Sequence, residues 1–204
     1  MTALRMVALD LSTSKAGIAH THWHDGTPRL GCRSVDTGLV GLHDRIHRVL
    51  GDVAAVCGWQ GGGFTTAVPH LVVVEGSFSR PGASDGPLHM LRGAVLHWLW
   101  TKKIPYVDVQ PGTVKVWATG SGALKGENKV TKDKVIAAVV ATYGGLMSID
   151  PRDSDQCDAV ALLSMGLAAY GQPLAVVSSH QSRALSTPRW PTLATEHGPV
   201  VPHV

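Results

Sequence analysis

Glutamate is almost missing from this chain: its 204 residues contain three, Glu75, Glu127 and Glu196. Cysteine is equally sparse. Cys32, Cys57 and Cys157 make an odd number without metal-ligand spacing, which argues against a disulfide scaffold and fits a reducing, cytoplasmic setting. The opening MTALRMVALD meets Asp10 before an apolar signal core can form, so no secretory leader is expected. The uncharged, apolar-leaning residues 135–149 are too short to span a membrane and contain Gly144 and Gly145. No internal repeat is visible, and a Walker-type phosphate loop is absent. These absences set aside secreted disulfide modules, helical membrane proteins, repeat arrays and P-loop nucleotidases. What is left is an ordinary apolar fraction, 44%, in a chain long enough for one sizeable core.

The net charge is only +3, but it is unevenly placed. Seven of the eight lysines, Lys102, Lys103, Lys115, Lys125, Lys129, Lys132 and Lys134, lie between positions 102 and 134, opposed there by Asp108, Glu127 and Asp133. A lysine run is most often a solvated helix face. Such concentration also suits a polyanion such as nucleic acid.

Hydrophobic periodicity predicts strands over residues 4–11, 17–23 and 29–35, in antiparallel succession. Leu39, Leu42, Ile46, Val49, Leu50 and Val53 mark a helix over 38–56, followed by GWQGGGF as a flexible loop. A β-branched strand at 72–74, a helix at 88–99, a strand at 104–109 and a helix after Pro111 come next. After the loop TGSGALKGEN, helices are predicted at about 131–143 and 154–170. Strands first, then alternating strands and helices, describe an α/β mixed central sheet with helices on both faces. Five prolines among residues 171–204, with Ser, Thr and His, predict a mostly disordered tail behind a domain of residues 1–170.

Acids interrupt this apolar pattern at chosen places. Asp10 lies in the strand MVALDLS, and Glu75 ends the run LVVVE. Buried strands rarely carry ionised carboxylates unless they are paired or bind a metal. Asp155 and Asp158 are three residues apart and so share one helix face. The helix that follows them, AVALLSMGLAAY, is small and apolar, so it packs closely and carries its acidic first turns inward. Asp155 alone reads as an ordinary helix-start acid, with Asp153 or Ser154 as the N-cap. Asp153 and Asp150 are alternative ligands to Asp155, Asp150 the weaker because Pro151 follows it.

Carboxylates gathered without partners repel and raise one another's pKa values, which divalent cations relieve. Oxygen-only ligands suit Mg²⁺, and Mn²⁺ also. Acids holding two ions roughly 3.5–4 Å apart are the arrangement used to cut phosphodiesters. The expected ligands are Asp10, Glu75, Asp155 and Asp158, with the basic segment holding a phosphate backbone nearby.

In order and spacing these residues resemble the RuvC-like Holliday junction resolvases of the RNase H-like superfamily, over about residues 4–170. The quoted matches are Asp10 in VALDLSTSKAGIA with Gly17, Glu75 and Phe78 in VVVEGSF, and the Arg-Gly-Ala core of LHMLRGAVLHWL. Lys115 and Lys125 in QPGTVKVWATGSGALK, and Asp155 and Asp158 in DQCDAVALL, complete the set. The resemblance implies a homodimeric endonuclease with two ions per site, cutting branched DNA symmetrically in recombination or repair. It implies that Phe78 acts at the junction centre, that the Arg-Gly-Ala helix forms the dimer interface, and that a lysine supports catalysis. Because GENKVTK reads as an insertion, that lysine is Lys125 or Lys132. Arg80, Lys129 and Lys134 join Phe78, Lys115, Lys125 and Lys132 as expected DNA contacts. Asp10-Leu11-Ser12, in place of Asp-Pro-Gly, resembles bacteriophage members, which implies forks and flaps as substrates beside four-way junctions.

Two rival functions share features with this one. An actin- or sugar-kinase-like ATP-binding protein also opens with a motif like DLSTSKAG, but needs a second glycine-rich loop and a longer chain. A non-catalytic branched-DNA binder would not need all four acids. His20, His22 and His24 alternate along one strand face, which is more often an exposed hairpin than a metal site. Trp98, Trp100 and Trp117 read as core or dimer contacts, and Cys157 as a packing residue pointing away from its flanking aspartates.

Overall fold

The computed structural model describes residues 3–24, 27–38, 40–66, 68–76, 85–121 and 129–204. Phe78, Arg80 and Lys125 lie outside these residues, so three of the expected DNA contacts carry no structural statement.

Three strands, β1 (Met6–Asp10), β2 (Lys15–His24) and β3 (Thr27–Asp36), form an antiparallel meander. Helix α1 (Leu42–Val56) follows, then a short hairpin of β4 (Trp59–Gln60) and β5 (Gly63–Phe64). That hairpin replaces the flexible loop expected at GWQGGGF; Trp59 packs edge-on against Phe64 at 5.0 Å across it. Strand β6 (Leu71–Glu75) lies parallel to β1, and after α2 (Gly86–Thr101) β7 (Tyr106–Val109) lies parallel to β6. The order β3-β2-β1-β6-β7 is the mixed sheet expected from the sequence.

Alternation sends the two sides of each strand to different cores. Val7, Leu9, Val72 and Val74 face α1 and α2; Met6, Ala8, Leu71 and Val73 face the opposite side. There α5 (Ser154–Ala169) lies on the sheet, and α3 (Pro111–Thr119) and α4 (Lys132–Tyr143) pack beyond it. Helix α5 is buried almost all round, so it shows no single apolar stripe. Small residues let it settle: a Cβ on Gly166 would lie 2.7 Å from Val73 Cγ2.

Residues 171–204 are folded, contrary to the disorder expected from their proline content. Helix α6 (Ser179–Leu185) begins with a full capping box between Ser178 and Gln181. Gln181 Nε2 then donates to the Trp117 carbonyl at 2.9 Å. Leu185, Trp190 and Leu193 are buried in the α5-side core, and β8 (Leu193–Thr195) and β9 (Gly198–Val200) close a hairpin. The composition rule failed because a few large apolar residues, spaced between the prolines, find a preformed surface to cover.

Candidate active site

The parallel pairing of β1 with β6 sets Leu9 beside Val74, so Asp10 and Glu75 leave the sheet as neighbours at the same end. Asp10 is buried, 6% exposed. Burial pushes its carboxyl well above the ordinary range, and the charge of Glu75, then that of Asp158, pushes it further. The proximity of Glu75 to Asp10 thus favours a proton held between two carboxyl groups. Burial also raises Glu75, against the pull of the neighbouring Asp10 carboxyl and of Lys115.

The other two acids arrive on α5. In the β1–β2 ladder Gly17 stands opposite Asp10. A Cβ there would sit 1.8 Å from the Asp155 carbonyl oxygen, a distance no side chain tolerates. Gly17 is therefore what admits the first turn of α5 against β2. Burial raises both helix acids: Asp155 upward against the pull of Lys132, and Asp158 to about 7, with Glu75 adding to it. Carboxylates from β1, β6 and α5 thus act on one another. Among the described residues, no three Asp, Glu, His or Cys side chains close around one point as a metal's ligands would.

Two lysines face this group. Lys115 on α3 acts on Glu75 and Asp158, while Lys132, at the start of α4, acts on Asp155, Asp158 and Glu75. Lys132 Nζ also donates to Ser154 Oγ at 3.3 Å. Lys129 and Lys134 lie outside the group on the solvent side, with Lys134 Nζ donating to the Lys129 carbonyl at 3.0 Å.

The alternative ligands have other work. Asp153 is the N-cap of α5, accepting from Gln156 N at 3.1 Å, from Ser34 Oγ at 2.6 Å and pairing with Lys15 Nζ at 2.6 Å. Burial would raise it, but these bonds outweigh burial and leave it below the usual carboxylate range. Asp150 is tied to Arg152 in solvent.

One residue beside the site has a role that sequence reasoning did not assign. Arg92, on the helix expected to form a dimer interface, donates through Nη1 to the Glu75 carbonyl at 2.9 Å, and Nη2 pairs with Asp108 on β7. It clamps the β6 end that carries Glu75. The signal was present as a single arginine inside the apolar run HMLRGAVLHWL.

No family profile matches the chain. One similar curated protein is a crossover junction endodeoxyribonuclease RuvC of Prochlorococcus marinus, 30% identical over 99 residues, covering 48% of this chain and 59% of that protein. The RuvC of a second strain is 24% identical over 162 residues, covering 78% of this chain and 93% of that protein. Among solved structures, T. thermophilus RuvC in complex with Holliday junction substrate superposes with a TM-score of 0.56 at 22% identity, covering 78% of this chain and 90% of that one. The chain is similar in sequence to these RuvC proteins and shares the fold of T. thermophilus RuvC; it spans 59% of the length of the first of the curated relatives.

The remaining aromatic and sulfur residues sort by packing in this fold. Trp117 is core: it is buried, and its Nε1 donates to Ser164 Oγ at 2.7 Å. Trp100 is 69% exposed on α2, stacked on His97. Cys157 is fully buried, and its thiol is pushed up to about 12, first by burial and then by Asp158. No helix among the described residues is long and apolar enough to cross a membrane.

Proposed function

We propose that this chain is a metal-dependent, structure-selective endodeoxyribonuclease that nicks four-way DNA junctions, with forks and flaps as further substrates. One pattern supports the proposal: Asp10, Glu75, Asp155 and Asp158, drawn from three separate segments, act on one another's ionisation, and Lys115 and Lys132 act on them. Structural acids do not need such company. Buried acids that raise one another's pKa values are poised to lose protons to a cation.

The donor set is all carboxylate oxygen, which fits hard divalent ions: Mg²⁺, or Mn²⁺ in its place, two per site. Asp10, Glu75, Asp155 and Asp158 would hold them. The ions supply a lowered water pKa and charge stabilisation at the phosphate. This chain's own part is to hold the acids and the backbone in place. Gly17 seats α5, and Arg92 fixes the Glu75 strand end. Lys132 or Lys125 is the supporting lysine; among the described residues Lys132 acts on Asp155, Asp158 and Glu75, and Lys115 on Glu75 and Asp158. Lys129 and Lys134, with Arg80 and Lys125, extend the basic surface for the phosphate backbone, and Phe78 stacks at the junction.

The chain works as a homodimer in the cytoplasm, and its Asp10-Leu11-Ser12 form is that of a phage-type member. Support for dimerisation is the outward side of α2, where Met90 is 51% and Trp100 69% exposed. Two sites then cut opposing strands.

The test is nicking of a labelled synthetic four-way junction with and without Mg²⁺, using the parental chain and Asp158→Asn. The expected result is junction binding retained and cleavage lowered at least about a hundredfold, since even groups that only orient metal ligands cost up to that much. Parental-rate cleavage by the variant, or equal cleavage in chelator, sinks the proposal.

A further inference from the structure

A cavity of about 530 Å³ lies on the other side of the sheet from the acids. It shares no lining residue with them. It meets β1 at Met6 and Val7, and Val7 is three residues from Asp10, roughly 10 Å along the strand. Arg5 and Arg33 give it a cationic lining, with the imidazoles of His20 and His22 beside them; Val56 and Pro69 are its main apolar wall. Among the described residues no carboxylate lines it.

Several features show construction. His20 and His22 rest side by side with ring centroids 5.2 Å apart. Both lean over Gly31, where a Cβ would lie 3.0 Å from His20 Nε2 and 3.6 Å from His22 Cε1. A side chain at Gly31 would crowd the His20 ring and touch that of His22. Burial first, then His22 and Arg33, lower the His20 pKa to about 4, so its ring is neutral at physiological pH and offers one N–H donor. Both arginines are held by neighbours. Arg33 Nη2 pairs with Asp52 at 2.6 Å; Arg5 Nε donates to the Val68 carbonyl at 3.1 Å, and its Nη2 meets His70 Nε2 at 3.2 Å and Glu196 Oε1 at 3.5 Å. A guanidinium has five N–H groups, more than these bonds engage. A positioned fork of this kind suits the oxygens of a phosphate.

We propose that this cavity is a second ligand site, and that it takes a mononucleotide-type ligand, with the phosphate against Arg5, Arg33 and the two imidazoles and the base against the apolar wall. The volume lies in the range of small-molecule sites, about 300–1,000 Å³. A bare metal ion fits less well, because two guanidinium groups border the imidazoles and no third ligand of the usual kinds joins them among the described residues.

The test titrates the full chain, in chelator, with 2′-deoxyadenosine 5′-monophosphate, with deoxyadenosine and with inorganic phosphate, following the His20 and His22 ring protons by NMR. The nucleotide is expected to shift both rings saturably, and more tightly than either fragment. Arg33→Gln should weaken it at least about tenfold, the usual scale for a lost charge-assisted bond. Should that variant fail to fold by circular dichroism, His22→Gln, at an exposed ring, is the substitute and should weaken binding about threefold or more. Rings that stay still up to about 10 mM nucleotide overturn the proposal. Binding undiminished in the variants overturns it too, as does inorganic phosphate binding as tightly as the nucleotide.

Discussion

The two faces of the sheet are built to different thicknesses. On one, α1 and α2 lie as a single layer: α1 buries Val49 and Val53, and α2 buries Leu91, Val95 and Leu99, one residue per turn. On the other, α5 is enclosed between the sheet and an outer layer of α3, α4 and α6, with residues such as Leu162, Leu163 and Met165 fully buried. The acids sit where the enclosed helix meets the sheet, and the two lysines come from the outer layer. A group of mutually repelling carboxylates needs surroundings that do not yield, and close packing on two sides supplies them. The single-layer face, more exposed, carries the basic cavity and the apolar α2 surface.

Gly17→Ala attacks the enclosed face at its closest point. The added methyl cannot coexist with the Asp155 carbonyl, so the first turn of α5 must move away from Asp10. Displacement of about 1 Å at a reacting centre lowers rates by about a hundredfold. Junction cleavage should fall by that amount while junction binding changes little. Unaltered cleavage would mean that the acids do not work as one group.

The outer layer is tested by ending the chain after Gly171. Burial of Leu185, Trp190 and Leu193 would be lost, at about 1.5–3 kcal/mol each. A drop in Tm of roughly 10 °C or more is expected for a chain of this size. No change in thermal melting would show that residues 172–204 do not stabilise the enclosed face.

A smaller effect separates charge from packing. Asp158 is held protonated up to about 7, whereas an unfolded aspartate releases its proton near 4. Between those values the folded chain binds more protons than the unfolded one, so stability falls as pH rises. Asp158→Asn removes that cost. In chelator its Tm should match the parental value near pH 4 and exceed it by roughly 3–8 °C at pH 8. Added Mg²⁺ should favour the parental chain. A gain in Tm that is the same at pH 4 and pH 8 would assign the effect to packing alone.

The sheet order was legible from local patterns, β-branched runs for β1 and β6, and the proposed acids stand out in the same local way, one at each strand end and a pair spaced three apart on α5. Seating is not local. Gly17 stands in an ordinary strand sequence, and only the approach of α5, 138 positions away in the chain, gives its missing side chain a purpose. Arg92 was visible as an odd residue in an apolar helix, yet its partners, the Glu75 carbonyl and Asp108, lie on two other elements. The tail was misjudged for the opposite reason: its composition is that of a disordered segment, while its few large side chains depend on a surface built by α3 and α5.

The mildest change completes the contrast between the faces. Gly51 lies inside α1, exposed, with nothing within 4 Å of a built Cβ. Alanine there meets no neighbour and removes the entropy cost of glycine in a helix, about 0.5–1 kcal/mol. Gly51→Ala should raise Tm by roughly 1–4 °C and leave junction cleavage at the parental rate. The same chemical substitution would then inactivate on one face and stabilise on the other, because a methyl group has room in a single exposed layer and none where a helix is pressed against a strand. If Gly51→Ala also lowered cleavage, the two faces would be coupled, and the enclosed side could no longer be treated as setting the site by itself.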